Sequence, residues 1–305
     1  MEKSKIKKIL AVRTDRFGEF LLNIPAIRAL KETFSQAKLI LAVNATVLEL
    51  AKMLDCVDNT LTWEEVRQNL KKYRFDMCVA LNPVKEVHLK SFLAGIPVRV
   101  GYSRKFGFLL THRMKDTKEI GNRHEVDCNL ELVNLVGAVT QNKSLSIRLD
   151  EPLPEFIREN TIAIHPFTSD PVKQWPFERF EDLARRISDE TKAKVVFVGR
   201  SEEWGQSPFG NSPHSGNVIN MINKTNLSEL AALLKRCTLL VSGDSGPVHL
   251  SSAVGTPVIA LFRNDLPGKT ARRWGPWGKG HFVIEKKNFN DISVDEVFDK
   301  IKEIF

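Results

Sequence analysis

Residues 238–262 read TLLVSGDSGPVHLSSAVGTPVIALF, and the class of the fold follows from them. Residues 238–242 are a brief run of Leu and Val, the length of a buried strand and too short for a helix. Four small or polar residues, Gly243 to Gly246, then turn the chain. Pro247 opens a helix at a position where its missing N–H costs nothing. Gly255 stops that helix, and residues 257–262, PVIALF, form a second buried strand. Two apolar strands joined through a helix lie parallel, in a sheet covered on both faces.

The same alternation runs outward from this unit. Residues 161–164 and 194–198 (KVVFV) read as strands around a helix over 177–190. A helix over 226–236 starts with Asn226 at its cap and Glu229 three residues on, the spacing of a capping box. In the first half, residues 8–12, 38–43 and 76–81 are buried strands, and residues 27–34, 46–54 and 63–72 have helical spacing. Residues 124–137 repeat apolar positions at Val126, Leu130, Val133 and Leu135 and stop at Gly137, and a last helix covers 294–304. Two prolines in EPLPEFIRE, residues 151–159, separate the two series. The chain therefore reads as α/β, two doubly wound domains spanning 1–152 and 153–305, with ligands expected at the strand-to-helix turns.

Composition narrows the classes. The chain has 305 residues, 42% hydrophobic and 27% charged, with 17 Gly and 14 Pro, an ordinary globular balance with room for two cores. The uncharged apolar stretch 249–262 is too short to span a bilayer and carries Gly255 and Pro257. The basic start, residues 1–10, is followed by an apolar run that ends at Arg13, unlike a signal peptide or an anchor. Four cysteines without C-x-x-C spacing point to neither zinc nor a disulfide framework, and a cytoplasmic protein is expected. The net charge of +8 lies wholly on residues 1–150, which hold 25 Lys and Arg against 17 Asp and Glu, whereas residues 151–305 hold 20 of each. Such a half either keeps the surface solvated or meets an anionic partner. Nucleic acid is not that partner: no helix-turn-helix, zinc-finger or aromatic RNA-binding signature is present.

Three turns carry candidate chemistry. In residues 241–250, the N–H groups of Ser245, Gly246 and Val248 at a helix start favour an anion such as a diphosphate. Asp244 is suited to a ligand hydroxyl, and His249 lies on the first helical turn, unless it merely packs on the sheet. In residues 164–176, Thr168 and Ser169 offer hydroxyls, Lys173 offers a point charge suited to phosphate, and Trp175 reads as packing. In residues 12–20, Glu19 is either a general base or a carboxylate satisfying the helix start, and Asp15 is a second candidate. No G-x-G-x-x-G follows a strand and no G-x-S-x-G exists; Pro267-Gly268-Lys269-Thr270 lacks the first glycine of a phosphate loop, Arg263 standing there. The seven histidines show no ligand spacing, so no metal is expected.

Taken in order, RTDRFGEFLLNIPAIRALK at residues 13–31, HPFT at 165–168 with KQWP at 173–176, and DSGPVHLSSAVGTP at 244–257 resemble the bacterial ADP-heptose:lipopolysaccharide heptosyltransferases, glycosyltransferase family 9. The helix at 124–137 is similar to the segment closing that family's first domain. The resemblance implies a GT-B fold, two Rossmann-like domains facing a central cleft, and inverting, metal-independent transfer with no cofactor beyond an ADP-sugar donor such as ADP-heptose. It implies an acceptor-binding first domain and a nucleotide-sugar-binding second domain. Its donor site falls on Thr168, Ser169, Lys173, Asp244, Ser245, Gly246 and His249, with Glu202 or Glu203 at the ribose. Its base falls on Glu19, where the family usually has aspartate, a change that lengthens the carboxylate by one methylene. An anionic lipopolysaccharide-type acceptor would meet Arg13, Asp15, Arg16, Arg104, Lys105, Arg113 or Arg123, with peripheral contact at the cytoplasmic face of the inner membrane. A nucleotide-sugar epimerase or hydrolase, which needs no acceptor, and a non-catalytic nucleotide-sugar-binding module are the alternatives.

Overall fold

A computed structural model describes residues 2–149, 151–155, 157, 160–201 and 217–304. The chain divides into two compact units, Met1–Arg148 and Leu149–Phe305. The first holds strands β1 (Lys8–Arg13), β2 (Lys38–Val43), β3 (Asn59–Thr62), β4 (Met77–Ala80), β5 (Val98–Tyr102) and β6 (His112–Met114). All pair parallel in the order β3-β2-β1-β4-β5-β6. The second holds β7 (Thr161–His165), β8 (Lys194–Phe197), β9 (Val218–Asn220), β10 (Leu239–Gly243), β11 (Val258–Arg263) and β12 (Phe282–Lys286). These are also all parallel, in the order β12-β11-β10-β7-β8-β9. Both are the doubly wound order, with one reversal in each sheet: β1 beside β4, and β7 beside β10.

Local sequence accounts for the elements that frame the turns. The Phe177–Glu190 helix buries Phe180, Leu183, Ala184 and Ile187, a stripe at helical spacing. Trp175 is fully buried, sits edge-on to Phe180 at 4.6 Å, and donates from Nε1 to the Ile292 carbonyl at 3.0 Å, the packing role expected of it. Asn226 and Glu229 close the capping box of the Leu227–Arg236 helix, with backbone bonds of 2.8 and 2.9 Å. The four cysteines are free thiols and buried. No helix among the described residues is long and apolar enough to cross a membrane.

Two helices differ from their sequence expectation. Residues 63–72 fold as two helices, Trp63–Gln68 and Leu70–Tyr73, because the chain leaves helical geometry at Asn69 (φ −128°). Residues 46–54 begin as a 3-10 turn, Ala45–Val47, before the Leu48–Lys52 helix. Five strands were not anticipated: β3, β5, β6, β9 and β12.

Each sheet is bridged at its reversal by the last residue of its first strand. Arg13, 3% exposed, donates from Nη1 to the Leu81 carbonyl just beyond β4 at 2.9 Å. His165, 7% exposed, places Nδ1 3.1 Å from Ser242 Oγ on β10 and 3.2 Å from Ser245 Oγ. Gly199, with φ +130°, makes room for that imidazole: a Cβ there would lie 2.8 Å from His165 Cδ2 and 2.7 Å from Phe167 Cδ2.

Burial pushes the His165 imidazole down to about 4, so the ring is neutral in the fold at neutral pH. Below about pH 6.5 the unfolded chain binds a proton that the folded chain refuses. The stability tied to the neutral ring is therefore complete above that pH and is lost as the pH falls toward 4, a span worth on the order of 3 kcal/mol. Denaturation midpoints for wild type and His165→Gln, followed from pH 7 to pH 4.5, should converge as the medium acidifies. Parallel curves would show that the buried imidazole does not set the acid sensitivity.

Candidate active site

In the second unit, both candidate turns leave the carboxyl ends of the strands that flank the reversal, β7 and β10. Asp170 shapes the first turn: its Oδ1 accepts from the Val172 N–H at 3.2 Å, starting the 3-10 turn Pro171–Lys173. Its other oxygen takes Lys269 Nζ at 3.1 Å, and this bond holds the carboxyl below its usual range. Thr168 Oγ1 accepts the Asp170 N–H at 3.3 Å, while Ser169 is exposed. At the end of the turn, Lys173 forms an ion pair with Asp244, the residue after β10. The side chains are 18% and 10% exposed, so both charges are largely enclosed and only weakly screened.

The helix after this turn, Gly246–Val254, starts without a side-chain cap. Ser245 stands at the cap position, but its hydroxyl lies 2.8 Å from Ser242 Oγ and faces His165. The anion-favouring start is therefore left to backbone groups, those of Ser245 and Gly246. The Val248 N–H, expected to join them, is already given to the Ser245 carbonyl at 3.2 Å, as the first turn of the helix closes on itself. His249 is 4% exposed, enclosed beneath this helix start. Glu202 and Glu203, the candidates for a ribose contact, lie outside the described residues.

In the first unit, the turn after β1 leads into the short Phe17–Leu21 helix. Glu19, with its side chain 16% exposed, does not cap that helix; its Oε1 accepts from Arg16 Nε at 3.0 Å. Asn23 Nδ2 donates to the Glu19 carbonyl at 2.8 Å and fixes the helix end. Asp15 accepts from Arg13 Nε at 2.6 Å, so the two acidic residues of this turn have separate arginine partners. Arg13, expected among the cations meeting the acceptor, is instead enclosed, with Nε given to Asp15 and Nη1 to the Leu81 carbonyl. Burial opposes its charge, but Asp15 and Glu125 outweigh that penalty and hold its pKa up.

Behind this turn is a polar cluster that the sequence reading missed. Lys118 pairs with the buried Glu125, donates to Asn129 Oδ1 at 3.0 Å and lies 4.5 Å over the Tyr102 ring. Asn129 Nδ2 in turn donates to the Leu22 carbonyl at 3.1 Å, tying the Glu125–Asn134 helix to the end of the Glu19 helix. Burial pushes the Lys118 ammonium down even though Glu125 supports it. The signal was present in the polar residues Glu125 and Asn129, which share one face of a helix read only for its apolar stripe. The other candidate cations are dispersed. Arg104 pairs with Asp116 and Glu119 at 3.0 Å each, Arg123 pairs with Glu131, and Lys105 and Arg113 are exposed.

Residues 63–299 match the family model described as glycosyltransferase family 9 (heptosyltransferase). The lipopolysaccharide core heptosyltransferase OpsX of Haemophilus influenzae is 22% identical over 293 residues, covering 87% of this chain and 81% of that protein. The solved ADP-heptose lps heptosyltransferase II of E. coli superposes with a TM-score of 0.83 at 21% identity, over 97% of this chain and 98% of that one. The E. coli heptosyltransferase WaaC with ADP superposes with a TM-score of 0.78 at 15% identity, over 98% of this chain and all (100%) of that one. These likenesses make the two doubly wound units a GT-B fold. With the family model running from the second helix-rich stretch of the first unit to the last helix of the second, the chain belongs to glycosyltransferase family 9, the heptosyltransferases.

Proposed function

We propose that this glycosyltransferase moves a heptose or closely related sugar from an ADP-sugar to an anionic lipopolysaccharide-type acceptor, with inversion and without a metal. The observation that carries the reading is the Lys173–Asp244 pair at the ends of β7 and β10, beside a helix start that no side chain caps. An ammonium has three donors, of which Asp244 occupies one, so Lys173 keeps donors for a diphosphate while Asp244 turns to a sugar hydroxyl. The backbone N–H groups of Ser245 and Gly246 add a fixed positive field, and together these groups offset the charge that builds on the leaving ADP. Thr168 and Ser169 lie in the same turn, His249 is buried in the first turn of that helix, and Glu202 or Glu203 is the carboxylate assigned to the ribose.

In this reading the acceptor oxygen attacks the anomeric carbon on the face opposite the diphosphate. The bond to the diphosphate breaks with its electron pair, and Glu19 takes the acceptor's proton. Asp15 is bound to a buried, permanently charged arginine, which suits it to positioning, whereas the partner of Glu19, Arg16, is 71% exposed to solvent. Arg16, Arg104, Lys105, Arg113 and Arg123 are the surface cations left to meet an anionic acceptor. The work is placed on the cytoplasmic side, with peripheral contact at the inner membrane, and names such as OpsX of H. influenzae support the lipopolysaccharide assignment.

The donor site is tested by thermal shift with ADP, UDP, GDP and CDP. Saturation at about a hundred times the dissociation constant should stabilise by about 2.7 kcal/mol. That shift is expected with ADP and should vanish in Lys173→Ala; no response to any nucleotide would remove the donor assignment. The chemical step is tested with Glu19→Gln, which should lower kcat by about a hundredfold or more with little change in the KM for donor. Near-normal turnover in that variant, with loss in Asp15→Asn, would transfer the base role to Asp15. Excess chelator should leave the transfer rate unchanged, and a collapse that added Mg²⁺ restores would contradict the metal-free reading.

A further inference from the structure

Residues 85–115 carry seven Lys and Arg against a single acid, Glu86, so this short stretch supplies most of the chain's excess positive charge. Within it the Lys85–Leu93 helix has an unusual polarity. Its inner face buries Val87, His88 and Ser91, while Leu89, Phe92 and Leu93 point outward, 37%, 47% and 68% exposed. Spaced three and four residues apart, these three share one face with Lys85. The reverse arrangement, apolar inward and polar outward, is the ordinary one for a helix on a soluble protein.

The turn after β5 extends the same surface. Phe108 is 71% exposed at the 3-10 turn Gly107–Leu109. Lys105 and Phe106, just before it, both hold left-handed backbone, φ 46° and 70°, which side-chain-bearing residues seldom adopt. Contacts with the helix keep the turn in this form. His88 Nδ1 lies 2.9 Å from the Lys105 carbonyl, Lys85 Nζ lies 4.6 Å over the Phe106 ring, and Phe106 meets Phe108 at 5.7 Å. The Arg99 guanidinium, 5.4 Å over Phe92, donates from Nε to the Leu109 carbonyl at 2.8 Å and ties the two halves together. Strained backbone that displays apolar tips to water is kept where the display has a use.

We propose that this face, the outer side of the Lys85–Leu93 helix with the Phe106–Phe108 turn, is a docking surface for an anionic lipid bilayer. Exposed leucines and phenylalanines enter the boundary between headgroups and acyl chains while the surrounding cations meet lipid phosphates. A second copy of the chain is a poor occupant, since a two-fold pairing would press one cationic face against another. The inference deepens the membrane contact proposed above and takes only its location from that reading.

Vesicles free of acceptor and nucleotide test it separately from sugar transfer. The full chain is sedimented with vesicles of phosphatidylcholine alone or mixed with phosphatidylglycerol, as wild type and as the triple variant Phe92→Ser, Leu93→Ser, Phe108→Ser. Wild type should bind the mixed vesicles at least about tenfold more tightly than the neutral ones, with loss at raised salt, and the triple variant should lose about tenfold. The variant should keep one cooperative unfolding transition, its midpoint lowered only by the lost Phe92–Arg99 and Phe106–Phe108 contacts, because none of the three side chains is buried. Equal binding to both vesicle types, or undiminished binding by the triple variant, overturns the proposal. So does a wild-type oligomer that the variant dissolves while vesicle binding is unchanged, which would make the face a protein contact. If wild type binds mixed vesicles as expected but shows no ADP response, the docking face stands and the donor reading falls.

Discussion

Where the strand order of a parallel sheet reverses, two neighbouring strands send their chains to opposite faces and leave an opening at their carboxyl ends. Polar backbone ends collect there, and something must bridge them. Both units do so with the last residue of the first strand, but with different chemistry. In the first unit Arg13 reaches the Leu81 carbonyl and brings a permanent charge indoors. That charge must be answered, and Asp15 and Glu125 answer it; Glu125 in turn holds Lys118, and Lys118 holds Asn129. One buried guanidinium thus organises a chain of polar contacts that ends on the backbone of the Glu19 helix.

In the second unit the bridge is a neutral imidazole, and it recruits hydroxyls instead. His165 draws Ser242 and Ser245 toward itself, and Ser245 is thereby removed from the helix cap it would otherwise form. The uncapped helix start and the adjacent Lys173–Asp244 pair are the local features suited to an anionic diphosphate. Basic side chains are in excess in the first unit, whereas acids and bases balance in the second.

The sequence made the sheet centres legible and the flanks obscure. The seven strands read from apolar runs are β2, β1 and β4 in one sheet and β11, β10, β7 and β8 in the other, which lie side by side in the middle. The five that escaped lie to the outside, where a strand is buried on fewer sides. β3 is NTLT, β6 is HRM and β9 is VIN, too short or too polar to announce themselves by hydrophobicity. The candidate residues show a similar split. Lys173 and Asp244 could each be singled out from position at a strand end, but 71 positions separate them and only the sheet order brings them together. The spent Val248 N–H, the enclosed Arg13 and the Lys118 cluster belong to three-dimensional closure, which a linear pattern does not record.

Gly199 gives the second unit an unusual point of fragility. It is not itself a candidate residue, yet the space of a single methyl beside His165 and Phe167 is already taken. Alanine there would press on the very residues from which the turn to Lys173 departs. The turn would be levered off the sheet and the lysine drawn away from Asp244, without any candidate residue having been replaced. Such a lesion would imitate the loss of a binding residue while leaving all of them intact, so a defect in donor affinity does not by itself identify the groups that hold the donor.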